Sequence, residues 1–319
     1  MVVANSVLST VLFGRETSYA SGGTANKDIG LVQSVTVNPD STAVETHGFG
    51  QAKAVYVKGG LVNVKGSLEY DWQHGRPFEW AMFGGVTTHA ETTGDWVHTF
   101  VWSEQLPSLA SEVSYEMGAT DIGGAYTGLL FGNTTLGVNV DGMVNFKSDF
   151  VAKTIDNSAT TATAAVVNSG APLAGFQAGL SLGGSSVDYV QNWELTMNRN
   201  SKVIHGLGTR QPTYGSSHLA NVSFKATIGL ENTTQINRLL GSTSAITAAE
   251  PASFTSIFSA TNGVTLGSGR RALSMTLSGC QIKDYSINAK LNDFVLYDIS
   301  GYGILSAGTS TDQVSSSNW

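Results

Sequence analysis

The chain has 319 residues, enough for two domains that each bury a core of their own. Only 13% of residues are charged and 41% are hydrophobic, and 37 glycines stand against 6 prolines, a mix that favours many short strands and tight turns over disorder. The net charge of -7 and pI near 5.3 argue against a protein that grips nucleic acid through its phosphates, though not against one that lets nucleic acid slide past. A single cysteine, Cys280, excludes an internal disulfide framework and a cysteine-based zinc site.

In chain order, Met1 to Asp28 read as an extended arm, apolar at first and Gly-rich after Phe13, without the basic start or cleavage site of a signal peptide. No stretch reaches the 18 or so apolar residues of a membrane helix, so the chain reads as made in the cytoplasm. Ile29 to Val37 is an expected strand closed by the Asn38-Pro39-Asp40 turn signal, and Val44 to Gly48 resumes it. After the Gly-rich loop Gln51 to Gly60, the block Val62 to Trp72 alternates. Val62, Val64, Leu68, Tyr70 and Trp72 fall on one face, and Asn63, Lys65, Ser67, Glu69 and Asp71 on the other. Pro77 then suits the first position of a short helix that ends at Gly84-Gly85. Strands are expected at Trp96–Trp102, Ser111–Thr120, Tyr126–Phe131 and Leu136–Phe150, the last a long alternating one.

Asn157 to Gly170 is a Ser/Thr/Ala-rich run that reads as a linker, with a second arm to residue 186. Beyond it the chain repeats itself. Val32–Gly50 (VQSVTVNPDSTAVETHGFG) and Val190–Gly208 (VQNWELTMNRNSKVIHGLG) are 158 positions apart, half the chain, and align without a gap. Five of nineteen positions are identical, including His47/His205, Gly48/Gly206 and Gly50/Gly208, where background composition gives about one. The alternating block recurs as Val222–Leu230 at a shift of 160, and a helix-like turn recurs as Thr234–Leu240 before Gly241 at 157. Strands at Arg271–Lys283, Tyr285–Leu291 and Phe294–Leu305 and a loose polar tail complete the pattern. The chain reads as mainly β: two tandem β-sandwich or barrel domains, 29–156 and 187–305, each with one short α-helix.

Chemistry is sparse. No two of the six histidines stand at a close metal-ligand spacing, and no nucleophile elbow, phosphate loop or calcium loop occurs. His47 and His205 read as polar residues closing a strand before a Gly-x-Gly turn. Glu69 and Asp71 share a strand face, but as solvated carboxylates more than as an acid–base pair. Cys280 reads as a small buried hydrophobe. Neither catalysis nor a cofactor or metal is expected.

The repeated segments, the alternating strands VNVKGSLEYDW and VSFKATIGL, and the short Gly-stopped helices PFEWAMFGG and QINRLLGS together resemble tail tube proteins of tailed viruses, of the type with a duplicated tube domain. The resemblance implies a structural virion protein whose domains join edge to edge. Six domains close a ring, so three chains form a homotrimer with pseudo-sixfold symmetry. It further implies stacked rings that conduct viral DNA without binding it specifically, and tape-measure, tail terminator and tail tip or baseplate proteins as partners, with no membrane. Glu69, Asp71, Asp141 and Asp149 are then candidates to face the lumen. Lys53, Tyr56, Lys58, Arg210 and Tyr214, from the loops Gln51–Gly60 and Thr209–His218, are candidates for contacts between rings. A β-sandwich decoration or binding protein of a virion shares parts of the pattern, as does a β-barrel porin.

Overall fold

A computed structural model describes residues 5–47, 49–50, 52–116, 122–157, 170–230, 233–241, 251–289, 294–315 and 319. The fold is mainly antiparallel β. In the first half come β1 (Asn5–Arg15), β2 (Leu31–His47), β3 (Ala54–Asp71), a buried π-helical turn (Phe78–Phe83), β4 (Gly84–Thr92), β5 (Asp95–Trp102), β6 (Leu109–Glu116), β7 (Ile122–Asn139), β8 (Asn145–Ala152) and β9 (Thr154–Asp156). In the second come β10 (Ala178–Leu182), β11 (Ser185–Val187), β12 (Val190–Asn198), β13 (Lys202–His205), β14 (Pro212–Ser216), β15 (Asn221–Gly229), helix α1 (Thr234–Leu240), β16 (Phe254–Thr261), β17 (Ala272–Asn288) and β18 (Leu296–Asp312).

The two halves pair their strands in the same order. The first runs β1–β6–β7–β8–β3–β2. The second runs β10–β16–β17–β18–β15–β12. Registers correspond as well. Val32 faces Tyr70 as Val190 faces Ile228, and Val35 faces Leu68 as Trp193 faces Ala226, every residue shifted by 158. Both hairpins slip register at the same place, at Gln33 and at Gln191. Leu136 faces Phe146 as Ile287 faces Tyr297, at a shift of 151. Leu109 faces Leu129 as Phe254 faces Cys280, and each pair is followed by a further register slip.

These registers put the alternating strand of the second half at the same shift of 158 as the hairpin, with Val222 corresponding to Val64 and not, as its alternation suggests, to Val62. Past the helical turns the halves diverge. The capping glycines Gly84 and Gly241 are 157 apart, whereas β6 and β16 are 145 apart, so the first half carries twelve extra residues. The lengthened stretch holds the β4–β5 hairpin, closed by Thr93 and Gly94, both at positive φ. This hairpin clamps the second half: β5 pairs with the end of β18, and the Asp95 carboxylate accepts hydrogen bonds from the backbone of Gly267, Gly269 and Arg270. The Arg199 guanidinium stacks over Trp102 at 4.0 Å and donates to the Ser103 carbonyl.

Several expectations change. Asn5–Arg15, assigned to an arm, is a strand on β6, because Leu12 and Phe13 have a core to enter and β6 an edge to satisfy. Phe13 lies 6.2 Å from Trp80 and 6.0 Å from Phe131. Ala178–Leu182, assigned to the linker, is the corresponding strand on β16; residues 158–169 lie outside the described ones. Leu136–Phe150 is not one strand: Val140-Asp141-Gly142 turns the chain between β7 and β8. Conversely, the expected break near Lys283 is only a slip within β17. The tail after Leu305 continues as strand to Asp312 and is fixed by Val314 and Trp319, whose side chains pack inward.

The short helix expected after β3 forms, as a π-helical turn and not as an α-helix. Pro77 sets φ at -56° at its start, and Gly84 at φ 88° ends it, a conformation that costs a non-glycine residue strain. All six side chains of the turn are buried, Phe78 and Phe83 packing around Phe100. Because Phe13 plugs this cluster, Phe13→Ala is expected to cost about 3–4 kcal/mol of folding free energy. Chemical denaturation measures it, and an unchanged midpoint would show that β1 is dispensable to the core.

Candidate assembly surfaces

The most informative surface is already occupied. β7 and β12 join the two halves into one sheet: Leu195 faces Leu136, Thr196 faces Thr135, Asn198 faces Asn133 and Asn192 faces Asn139. Side chains alternate across this seam as the pleat requires. Trp193, Leu195 and Met197 point into the core with Leu136 and Val138, and Trp193 stacks on Phe258 at 4.2 Å. On the other face the Thr135 and Thr196 hydroxyls meet at 3.2 Å.

That other face is a broad polar depression of about 820 Å³, lined by side chains from β3, β8, β7, β12, β15, β17 and β18. Five carboxylates line it (Glu69, Asp71, Glu194, Asp284 and Asp298) against two lysines, Lys147 and Lys225, so the face is net acidic. Lys147 pairs with Glu69 at 3.1 Å across β8 and β3, and Lys225 with Glu194 at 3.9 Å across β15 and β12. Gln33 and Asn145 donate to Asp71, and Asn288 donates to Asp298. Of the four carboxylates singled out from sequence, Glu69 and Asp71 lie in the depression. Asp149 is exposed on the same side of β8 as Lys147, and Asp141 sits in the β7–β8 turn that borders it. Glu194, Asp284 and Asp298 were not singled out; the alternation of their strands was the signal that could have found them.

The repeated Gly-x-Gly segments sit at hairpin ends. Gly50 and Gly208 both take left-handed φ, 78° and 84°, which accounts for glycine at the third position of each. Between the glycines Phe49 and Leu207 are fully exposed. Gly48 lies outside the described residues. His47 and His205 close their strands opposite Ala54 and Pro212, but their surroundings differ: His47 is exposed beside Glu45, and His205 Nε2 lies 2.9 Å from Asn63 Oδ1. Gly206 precedes the second tip, against the Thr213 side chain. The candidate ring-contact residues split. Lys53, Tyr56 and Lys58 are exposed on the long β2–β3 hairpin, whereas Arg210 leaves its own hairpin to donate to the Gly60 carbonyl and to accept from the Val62 amide. Tyr214 is half-exposed and packs on Tyr19 at 5.7 Å. The two hairpins therefore brace each other within one chain.

A buried cluster was not legible beforehand. His89 and His98 face each other across β4 and β5 with Nδ1 atoms 2.7 Å apart, and His98 Nε2 lies 3.1 Å from Asp312 Oδ1. Trp319 packs on both histidines, and its indole donates to Glu79, which also binds Arg15 at 2.6 Å. Two facing Nδ1 atoms share one proton, so both rings cannot be charged together. Burial, reinforced by the charge of His98 and opposed by Asp312, pushes the His89 pKa below its usual 6.5. Burial pulls Asp312 up, but the hydrogen bond and charge of His98, the charge of His74 and the Val314 amide outweigh it and hold the carboxyl below its usual range. Burial raises Glu79, against Arg15 and Trp319. The sequence signal for this cluster was the hairpin HAETTGDWVH, which sets His89 opposite His98.

Among the described residues no group of three or more His, Cys, Asp or Glu side chains is placed to hold a metal ion, and no helix is long and apolar enough to cross a membrane. Cys280 is buried, and burial, against a backbone hydrogen bond, raises its thiol to about 11, where it is a poor nucleophile.

The strand-rich fold, the sheet seam and the polar face define a β-structured building block. A family model for phage tail tube proteins matches residues 6–268, and the chain belongs to that family. No curated protein sequence matches it. Family membership makes it a structural component of the virion tail that self-assembles into a tube.

The Trp319 cluster sets a pH dependence. A histidine held neutral contributes stability that is lost as pH falls below 6.5, because only the unfolded chain then takes up the proton. Asp312 works in the same direction at more acidic pH, and Glu79 in the opposite one above its usual 4.5. The thermal midpoint is expected to fall from pH 6.5 to about 5, and His89→Gln to flatten that slope. Scanning calorimetry across this window checks it; equal slopes in both proteins would remove His89 from the account.

Proposed function

We propose that the chain is a tandem of two equivalent tube domains, and that three chains close into a ring of six domains with pseudo-sixfold symmetry. The observation that carries this reading is the shared six-strand order and register of the two halves, together with a seam, β7 to β12, that joins one half to the other as neighbouring domains of a ring would be joined. A head-to-tail contact repeated around an axis closes a ring when its rotation divides the circle, and closure covers the two edges that correspond to the internal seam. Rings stack into the tail tube, and viral DNA passes through the lumen into the host.

In this reading the acidic depression lines the lumen. Glu69, Asp71 and Asp149 face the passing DNA and Asp141 lies at the border, so the wall repels phosphate weakly and holds no segment in place. The exposed tips Phe49 and Leu207, with Lys53, Tyr56 and Lys58, reach the adjacent ring, and Arg210 and Tyr214 stiffen the hairpins that carry them. Tape-measure protein inside the tube, and terminator and tip proteins at its ends, are the further partners; the chain itself is made in the host cytoplasm and has no catalytic role.

Light scattering and negative-stain microscopy of the purified chain test the assembly: trimers or tubes support it, and a soluble monomer under all conditions supports a decoration module instead. Replacing Glu69, Asp71 and Asp149 together by Lys is expected to leave tubes intact and slow DNA delivery by tenfold or so, as phosphate contacts accumulate. Delivery at the unmodified rate in phage carrying the triple variant would overturn the lumen assignment.

A further inference from the structure

The chain leaves two sheet edges open that correspond to the two edges joined at its internal seam. β12 pairs with both β15 and β7; its counterpart β2 pairs with β3 alone among the described residues. The last residues of β7 pair with both β8 and β12; their counterparts in β17, Asp284–Asn288, pair with β18 alone among the described residues. Along five residues each of these edges presents backbone groups that no described strand pairs with, except that Pro39 within Thr36–Asp40 has no N–H to donate.

The side chains tell the same story. Leu136 and Leu195 meet at the internal seam, and both are 0% exposed. Their counterparts are Ile287, 47% exposed at one edge, and Val37, half-exposed at the other. Tyr285 is likewise exposed where its counterpart Thr134 is fully buried. The apolar alternation that a neighbouring strand covers inside the chain is kept, uncovered, at both ends.

We propose that Asp284–Asn288 of one chain pairs antiparallel with Thr36–Asp40 of a second copy, in the register of the internal seam. Carrying that register across by the shifts of 158 and 151 puts Val37 opposite Ile287, Asn38 opposite Ser286 and Thr36 opposite Asn288. An aliphatic pair then replaces Leu195–Leu136, and a pair of short polar side chains replaces Thr196–Thr135 on the lumen side. The same register sets Asp40 opposite Asp284, where the seam has Asn198 opposite Asn133. Directly opposed like charges weaken a strand pair, so the junction between chains is weaker than the seam within a chain and strengthens with salt. The second half is also twelve residues shorter where the β4–β5 hairpin stands in the first, and no clamp of that kind is present there among the described residues. The proposal rests on the tandem-domain reading and adds to it which edges meet and in what register.

Paired cysteines test the register, since Cys280 is buried and gives little background. Opposed residues bring Cβ atoms to about 4.5–5.5 Å, within reach of a disulfide after small adjustment, and diagonal ones to about 7–8 Å, beyond it. Asn38→Cys with Ser286→Cys is expected to give chain-to-chain disulfides on mild oxidation of assembled tubes. Asn38→Cys with Asn288→Cys or with Asp284→Cys is expected to give at most a tenth as much. Equal or greater linkage in either control pair overturns the register. Hydrogen exchange on the unsubstituted chain covers the case in which the cysteine variants do not assemble. Amides of residues 34–38 and 285–288 are expected to exchange at least tenfold more slowly in tubes than in free subunits, and unchanged exchange at both edges overturns the pairing. Tubes that form without this linkage or protection contradict the junction and leave the tube reading standing. An unsubstituted chain that never assembles removes both.

Discussion

Backbone pairing at sheet edges is the constraint on which the rest of this molecule depends. A strand edge carries donors and acceptors that need partners, and a chain with long strands must satisfy, block or share those edges. Here the seam between β7 and β12 satisfies one pair of edges within the chain and sets Trp193, Leu195 and Met197 into a continuous core. Among the edges left open, one in each half corresponds to an edge of this seam: β2 and the end of β17. A soluble monomer would carry those edges as a liability; in the proposed ring a second copy covers them.

The pleat converts this pairing into a division of labour. Residues that alternate along β3, β8, β12 and β15 send Leu68, Tyr70, Phe146, Leu195 and Phe224 to the core, and Glu69, Lys147, Glu194 and Lys225 to the opposite face. Because the strands stay in register across the seam, the acidic face is continuous from one half to the other. A slip of one residue at β7–β12 would turn the Trp193 side chain into that face and Glu194 into the core. The β4–β5 hairpin guards against such a slip from outside the seam, through Asp95 to the 267–270 backbone and through Arg199 to Trp102 and Ser103. Trp319, closing over His89 and His98, then holds the hairpin in place.

Much of this was legible in the sequence where a local rule governs. The turn glycines Gly50 and Gly208, the Pro77 start and Gly84 stop of the short turn, and the alternation of Val64 to Trp72 all follow from backbone conformation or strand period, and all are present. Tertiary demand decided the rest. Asn5–Arg15 carries little strand signal of its own, yet β6 needs a partner and the Trp80 cluster needs Phe13. Asp141-Gly142 is a turn signal that unbroken alternation on both sides concealed. The shift of 160 for the second alternating strand arose because two valines, Val62 and Val64, fit equally well until pairing chose between them. The polar face was half legible: period two identified Glu69 and Asp71 and sets Glu194, Asp284 and Asp298 on one side of their own strands, but only the strand order brings all five onto one face.

The equivalence of the two halves is the central claim, and an averaged cross-section of assembled tubes by cryo-electron microscopy tests it most directly. The account predicts six lobes of matching β density around the lumen, contributed by three chains, with a strand junction at every boundary. A ring of six chains, or a ring in which one half of each chain lies outside the wall, would contradict it.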